Sequence, residues 1–576
     1  MYLMKMRSLA LLFFVVTTPA WADVDVKISG LEGEELANVE QRLAIKTLAN
    51  RDDFDQLLVE RLHQQSENDI RSALQPFGYY TPVITSALSG GPKKWKASYD
   101  VQLGPRTRIR KVDIAVDGEA ADFPAIRERL AKMPVHEGDA LLHNNYEIAK
   151  AQLLQAAYAG GFLDARYTTS ELRVEPEVQA ADIELKLSSG PRFFIGPIRI
   201  EQEGLDPALV ARYITIREGE PFDPQKVLKT QFALTDLGYF QTVSIEPLRK
   251  EEVNRHIPIV IHTSPRPKAR YQFGGGYGTD TGPRISAGLD LRRLNDDGHK
   301  FSSTLRLSKI QSALTNEYRI PLGSSPIDSL SFTAAAAYEV LPDGDDTKYT
   351  FGASLNRSPG KWQRRIYFDL IHERTNLDDA PTASNLFMPG ISFTRGEYDD
   401  PIHTRRGWFG FIDVHGADKK AFSTATFVQV HGILRGAYPL GSRFTLFARA
   451  EMGASFTPDF QDLPPSQRYF AGGDQSVRGY SYQSIGPRNM AGDVVGGKYL
   501  SVFSIEPDYR VTQNWSAAVF YDLGGVDDDP APKLLGGVGA GVRYRAPFGE
   551  VRVDLAHPLQ GDDSGVRLHI GVRVGL

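Results

Sequence analysis

Val566-Arg567-Leu568-His569-Ile570-Gly571-Val572-Arg573-Val574-Gly575-Leu576 closes the chain, with an apolar side chain at every even position and a polar or small one between. A two-residue period of this kind belongs to a strand with one face in an apolar medium. Upstream, Trp515, Ala517, Val519, Tyr521 and Leu523 share one face, and Ser516, Ala518, Phe520, Asp522 and Gly524 the other. Arg443 to Met452 repeats the pattern, with Phe444, Leu446, Ala448, Ala450 and Met452 opposite Arg443, Thr445, Phe447, Arg449 and Glu451. A soluble sandwich and a membrane barrel both alternate in this way. The arginines and glycines of the polar face suit a wet lumen, and a strand running to the last residue suits closure on the first. From about Arg270 onward the expected fold is a transmembrane antiparallel β-barrel, with about sixteen strands at roughly twenty residues per strand and connection.

The N-terminus agrees with export. Lys5 and Arg7 precede the apolar run Leu9 to Val16, and Ala20-Trp21-Ala22 forms a cleavage pattern before Asp23. Residues 1–22 are therefore expected to be a signal peptide. Beyond them no window of about eighteen apolar residues occurs, so a membrane location requires a barrel.

Between leader and barrel the sequence repeats itself. Glu137-Gly138-Asp139 opens a stretch ending in Gly160-Gly161-Phe162-Leu163-Asp164, and Glu218-Gly219-Glu220 opens another ending in Leu237-Gly238-Tyr239-Phe240. A looser copy ends in Phe77-Gly78-Tyr79-Tyr80, and new units begin at Gly104-Pro105-Arg106 and Gly190-Pro191-Arg192. In the last unit Asp223 is a candidate N-cap, Val227, Leu228, Phe232, Leu234 and Leu237 have helical spacing for one packed face, and Gly238 ends the helix. This β-α-α-β-β order with a terminal glycine-aromatic step resembles the POTRA (polypeptide-transport-associated) module. Three α+β modules are expected, at 23–104, 105–190 and 191–265, ahead of a barrel at 266–576.

A connection of over forty residues separates the strands near Met452 and Tyr499. It carries Arg468-Tyr469-Phe470-Ala471-Gly472-Gly473-Asp474-Gln475-Ser476-Val477-Arg478-Gly479-Tyr480, and Phe520-Tyr521-Asp522-Leu523-Gly524 follows downstream. Val477, Arg478, Gly479 and Tyr480 resemble the loop-six signature of the BamA/TamA superfamily of outer-membrane assembly and two-partner secretion barrels. The resemblance implies that the loop folds into the lumen and that Arg478 pairs with Asp522, flanked by Phe520 and Gly524. Alternation independently puts Asp522 on the luminal face. Exchange of the two charges, Arg478→Asp with Asp522→Arg, is then expected to restore part of what either single change removes.

Three modules and this length are most like the TamA branch, the outer-membrane half of the translocation and assembly module. That likeness implies residence in the bacterial outer membrane with the modules in the periplasm. It also implies assistance to the insertion, assembly and secretion of outer-membrane proteins such as autotransporters. The implied partners are client β-barrels, outer-membrane lipid and an inner-membrane-anchored, periplasm-spanning protein resembling TamB. Client strands would add at a lateral seam between the first barrel strand, near Arg270 to Thr279, and the last, with Gly274, Gly275, Gly276 and Gly571 weakening the two strands. The alternatives are a two-partner-secretion-type polypeptide export channel or a passive porin.

Composition narrows the rest. With 66 basic and 71 acidic residues the chain has a net charge of −5, which gives no basic face for nucleic acid. No cysteine is present, which excludes disulfides, thiolate metal sites and cysteine nucleophiles. Gly561-Asp562-Asp563-Ser564-Gly565 reads as a hairpin turn, and Gly537, Gly539 and Gly541 alternate along a strand with no helix after them to cradle a phosphate. Arg543, Arg545 and Arg567 read as pore lining. The sequence shows no enzyme constellation, metal site or cofactor site.

Overall fold

The computed structural model describes residues 23–50, 56–91, 94–278, 282–341, 344–377, 380–561, 565–573 and 575. The signal-peptide stretch, Thr279, the centre of the 561–565 turn, Val574 and Leu576 lie outside these. Two compact units divide the chain, one made of Met1–Ile198, Ile216–Val227 and Pro247–Ile259, the other of Arg199–Thr215, Leu228–Glu246 and Val260–Leu576. Residues 191–265 contribute to both. No helix among the described residues is long and apolar enough to cross a membrane.

Three small sheets come first. In each, the strand that opens the module and the one that precedes the helix-following strand's partner are arranged so that the last strand is central. Asp23–Ser29 runs parallel to Lys94–Gln102, which is antiparallel to Val83–Gly91. Arg108–Asp117 runs parallel to Ala180–Ser188, which is antiparallel to Arg166–Glu175. In the third sheet His256–Pro265 lies between Phe194–Glu201 and Phe240–Pro247. The intervening helices are Gly33–Arg42 and Gln56–Leu74, Pro124–Ala131 and His143–Ala159, and Pro207–Ala211 and Pro224–Asp236.

Periodicity explains the packing of a module. Along His143–Ala159 the residues Tyr146, Ala149, Leu153 and Ala157 form a buried stripe at helical spacing. Along Ala180–Ser188 the alternate residues Ala181, Ile183, Leu185 and Leu187 are buried, and the two sets share one core. Burying each leucine or isoleucine contributes about 2 kcal/mol, an upper estimate because the unfolded chain is already partly compact.

In the third module Asp223 caps Pro224–Asp236 by accepting from the Gln225 N–H at 2.8 Å, and Gly238 takes φ +75° beyond the helix end. The packed face differs from the one the apolar spacing suggested. Leu234 and Leu237 are buried, but Leu228 and Phe232 are 42% and 56% exposed. The stripe instead passes through Thr230, fully buried with its hydroxyl 2.7 Å from that of Thr215. A pattern scored on apolar residues alone cannot register a threonine whose hydroxyl is satisfied inside.

The junctions between modules repeat one device. Arg106 Nε donates to the Phe77 carbonyl at 2.7 Å with its guanidinium 4.9 Å from the centre of the Tyr79 ring, and Thr107 N–H donates to the Gly78 carbonyl. One module on, Arg192 Nε donates to the Gly160 carbonyl at 2.7 Å and stacks 4.8 Å from Phe123, while Phe193 N–H donates to the Gly161 carbonyl. Gly78 and Gly161 both have positive φ, and a Cβ on either would run into backbone oxygen. The glycine-aromatic and Gly-Pro-Arg signatures are thus the two halves of each joint.

Sixteen strands in chain order make the barrel, from Ala269–Gly278 to Arg567–Arg573. The first ladder runs unbroken from Ala269↔Leu291 to Gly278↔Gly282, despite its glycines. Alternation separates the faces. On Trp515–Asp527 the residues Trp515, Val519 and Tyr521 are exposed, and Ser516, Ala518, Phe520 and Asp522 are buried in the lumen. On the last strand Leu568 and Val572 are exposed and His569 is buried.

Candidate functional site

Residues 457–498 connect the strands Phe444–Phe456 and Tyr499–Arg510, and their tip lies inside the lumen. Its turn needs glycine: Gly472, Gly473 and Gly479 have φ near +100°, and a Cβ on Gly472 would meet the Ser481 carbonyl oxygen at 2.4 Å. Val477 and Tyr480 are buried on either side of Arg478, itself only 5% exposed.

The structure brings Arg478 and Asp522 together in a bidentate pair. Arg478 Nε donates to Asp522 Oδ2 at 2.7 Å and Nη2 donates to Oδ1 at 2.9 Å. The Arg478 backbone N–H adds a third bond to Asp522 at 3.1 Å, and the Ser504 hydroxyl a fourth at 2.6 Å. Phe520 lies beneath the guanidinium, 3.4 Å from its carbon to the ring centre. Planar stacking on an aromatic ring with a forked carboxylate contact is a geometry that lysine cannot reproduce.

Two further carboxylates complete the site, and sequence reasoning missed both. Arg478 Nη1 donates to Glu506 Oε2 at 2.7 Å and to Asp554 Oδ2 at 3.1 Å. Fully buried Arg543 ties them together, bonding Asp554 and lying 3.2 Å from Glu506 Oε1. Arg573 on the last strand lies 3.6 Å from Glu506 and donates to Glu550 at 2.7 Å. Parity held the signal: Asp554 sits between exposed Val553 and Leu555, and Glu506 follows exposed Ile505. Both therefore face inward. Buried carboxylates matched by arginines are tolerable because each charge finds a partner where water is scarce.

The wall is shaped to receive the loop. On Leu535–Ala546 the luminal positions include Gly537, Gly539 and Gly541, ahead of Arg543, whereas Val538 and Val542 face outward and are exposed. A Cβ at Gly537 would fall 2.0 Å from the Arg478 carbonyl oxygen, and one at Gly539 would fall 2.3 Å from the Phe520 ring. At Gly524 it would lie 2.5 Å from Val477. Gly537 and Gly524 thus leave room for the loop tip itself, and Gly539 for the Phe520 ring on which Arg478 rests.

The last strand is also engaged. Gly479 N–H donates to His569 Nε2 at 3.1 Å, so Nδ1 carries the imidazole proton and donates to Asp474. The Tyr480 hydroxyl reaches the carbonyls of Gln560 at 2.7 Å and Gly536 at 3.1 Å. A cavity of about 510 Å³ beside the tip is lined by Asp474, Gln475 and Tyr469 of the loop, by Gly278 and Arg284 of the first two strands, and by Gly571 of the last. Gly274, Gly275 and Gly276 lie on the first strand away from the loop; Gly275 has open space where a side chain would project.

Comparison with known proteins places this architecture. The Omp85 superfamily domain matches residues 280–575, just over half of the chain. POTRA domain TamA domain 1 matches residues 25–103, and a POTRA described as surface antigen variable number repeat matches 193–266. Outer membrane protein assembly factor BamA of Nitratidesulfovibrio vulgaris is 22% identical over 501 residues, covering 81% of this chain and 61% of that protein. The factor of the same name from Neisseria meningitidis serogroup B is 21% identical over 586 residues, covering 87% and 71%. The chain thus spans 61% to 71% of the length of these two curated relatives. The crystal structure of BamA from Haemophilus ducreyi lacking POTRA domains 1–3 superposes with a TM-score of 0.64 at 16% identity, covering 81% of this chain and 99% of that one. At that identity the likeness is one of fold.

Proposed function

The chain belongs to the Omp85 superfamily, and from that premise we propose that it assists the insertion and assembly of other outer-membrane β-barrels, autotransporters among them, through a seam between its first and last strands. The barrel sits in the outer membrane and the modules face the periplasm. The observation that carries the reading is the sheet order, which begins at Ala269–Gly278 and ends at Arg567–Arg573 without these two being hydrogen-bonded neighbours among the described residues. The two strands are nevertheless adjacent in space. A client strand can add between these two edges by β-augmentation.

Gly274, Gly275, Gly276 and Gly571 lower the cost of parting the strands, because glycine contributes no side-chain packing across a ladder. Val477, Arg478, Gly479 and Tyr480, seated on Phe520, Asp522 and Gly524, hold the loop so that the lumen stays filled while the seam works. The match of residues 25–103 to a TamA-type module supports a periplasm-spanning partner resembling TamB, docking on the outer strands of the module sheets.

Because the chain has no cysteine, a tether is unambiguous. Gly275→Cys with Gly571→Cys, and neighbouring pairs scanned for register, should abolish assembly of client barrels when oxidised and restore it on reduction. Full client assembly with a complete crosslink would sink the proposal. A deletion strain should lose particular barrel proteins from its outer membrane, and large open conductance with clients unaffected would favour a porin.

A further inference from the structure

The loop tip and the last strand share more than proximity. His569 sits on that strand, one edge of the proposed seam, and both of its ring nitrogens are bound by the loop: Nε2 accepts from Gly479 N–H and Nδ1 donates to Asp474. Gly479 and Asp474 flank Arg478, which is anchored on Asp522. A second link runs through Glu506, shared by Arg478 and by Arg573 of the same strand. Arg573 also packs on Phe447, 4.2 Å from the ring centre.

The geometry points to His569 as a latch: it fixes the last strand to the seated loop, so the edge of the seam is held while Arg478 is docked and released when the tip withdraws. The imidazole fits the task because its neutral, Nδ1-protonated form offers one acceptor and one donor on opposite sides of a rigid ring. Alternation supplies the placement, since only an inward residue of the last strand can meet the loop, and Leu568 and Ile570 point the other way. Gly479 allows the approach, with φ +99° and a backbone so close that a Cβ there would fall 3.0 Å from the His557 carbonyl carbon. His569 is a positioning residue, acting through the loop on the strand. Its significance for client insertion rests on the seam reading, but its geometry is tested separately.

The test uses the full chain in detergent or outer-membrane vesicles, with cysteine pairs across the first and last strands and the rate of disulfide formation as readout. His569→Phe and Asp474→Asn should each speed crosslinking about tenfold, the shift expected for losing one charge-assisted hydrogen bond. His569→Gln keeps an acceptor near Nε2 and should fall between. Unchanged rates in folded His569→Phe and Asp474→Asn would overturn the latch. Should His569→Phe fail to fold, Asp474→Asn carries the kinetic test. In the unaltered protein, nitrogen NMR of His569 should report the Nδ1–H tautomer, and an Nε2–H ring would also overturn it. Faster crosslinking with normal client assembly would keep the latch and refute the seam's role. Lost assembly with unchanged crosslinking would do the reverse.

Discussion

Replacing Arg478 by methionine removes the cation from three carboxylates at once, and the partners of each set the size of the effect. Glu506 keeps Arg543 and Arg573, and Asp554 keeps Arg543. Asp522, 1% exposed, loses both forks and keeps only a backbone N–H and the Ser504 hydroxyl. Breaking a buried pair from one side costs about 3–5 kcal/mol, and the remaining partners favour the lower end. About 3 kcal/mol is roughly a hundredfold rise in the population of undocked loop. Limited trypsin digestion in the opening-limited-by-equilibrium regime reads that population directly, through cleavage at loop arginines such as Arg488. Asp522→Leu alone should cost less, about 1–3 kcal/mol, because Arg478 still has two carboxylates. Combined, the two changes remove opposite charges together and should cost about 2 kcal/mol less than their sum. Additivity within about 0.5 kcal/mol would refute the idea that the pair holds the loop. The two extra carboxylates also change the expected outcome of charge exchange. An aspartate at 478 would face Glu506 and Asp554, so Asp522→Arg cannot restore the site as a simple pair would allow.

Other outcomes follow from the same contacts. Gly537→Ala should loosen the loop by about 1–3 kcal/mol through overpacking against the Arg478 carbonyl, whereas Gly571→Ala, whose new Cβ finds only Arg552 Nη2 at 3.9 Å, should leave trypsin cleavage unchanged. Arg192→Ala should weaken the second module joint by about 1–3 kcal/mol and expose the 188–193 segment to proteolysis, and Arg192→Lys should not restore the stacked fork. At the first joint the Tyr80 hydroxyl meets His143 Nε2 at 2.5 Å, and burial, only partly offset by Glu147, lowers the His143 pKa below its ordinary value. The neutral ring is therefore the stable one. Its contribution is complete above about pH 6.5 and is lost as pH falls through the lowered value, so the protection of the Gly78–Tyr80 amides against exchange, corrected for the intrinsic rate, should fall as the pH drops through that lowered value. Tyr80→Phe should flatten that profile.

How much was legible in the sequence depended on which residues kept a period. The barrel was legible because lipid and lumen impose opposite demands on adjacent residues, as Trp515 to Asp522 display. Module order was legible because glycine and arginine recur at each joint. Leu228 and Phe232 misled, since Thr230 occupies the core position one turn before buried Leu234. Glu506 and Asp554 escaped notice because no local motif marks them; each becomes significant only when barrel closure brings four strands around one guanidinium. Gly537, Gly539 and Gly541 were recognised as a pattern without a purpose, because what Gly537 accommodates, the Arg478 backbone, lies some sixty residues earlier in the chain, and Gly539 makes room for the Phe520 ring of the neighbouring strand.

The first and last strands of the barrel are mechanically unequal. The final strand is cross-braced from inside by His569 and Arg573, whereas Ala269–Gly278 has its ladder with Gly282–Leu291 and side chains exposed along nearly its whole length. One lip is a fixed jamb and the other a cantilever. Thermal bending should therefore be concentrated in the N-terminal lip, and under the proposed seam an incoming strand would meet a moving edge on one side and a templating edge on the other.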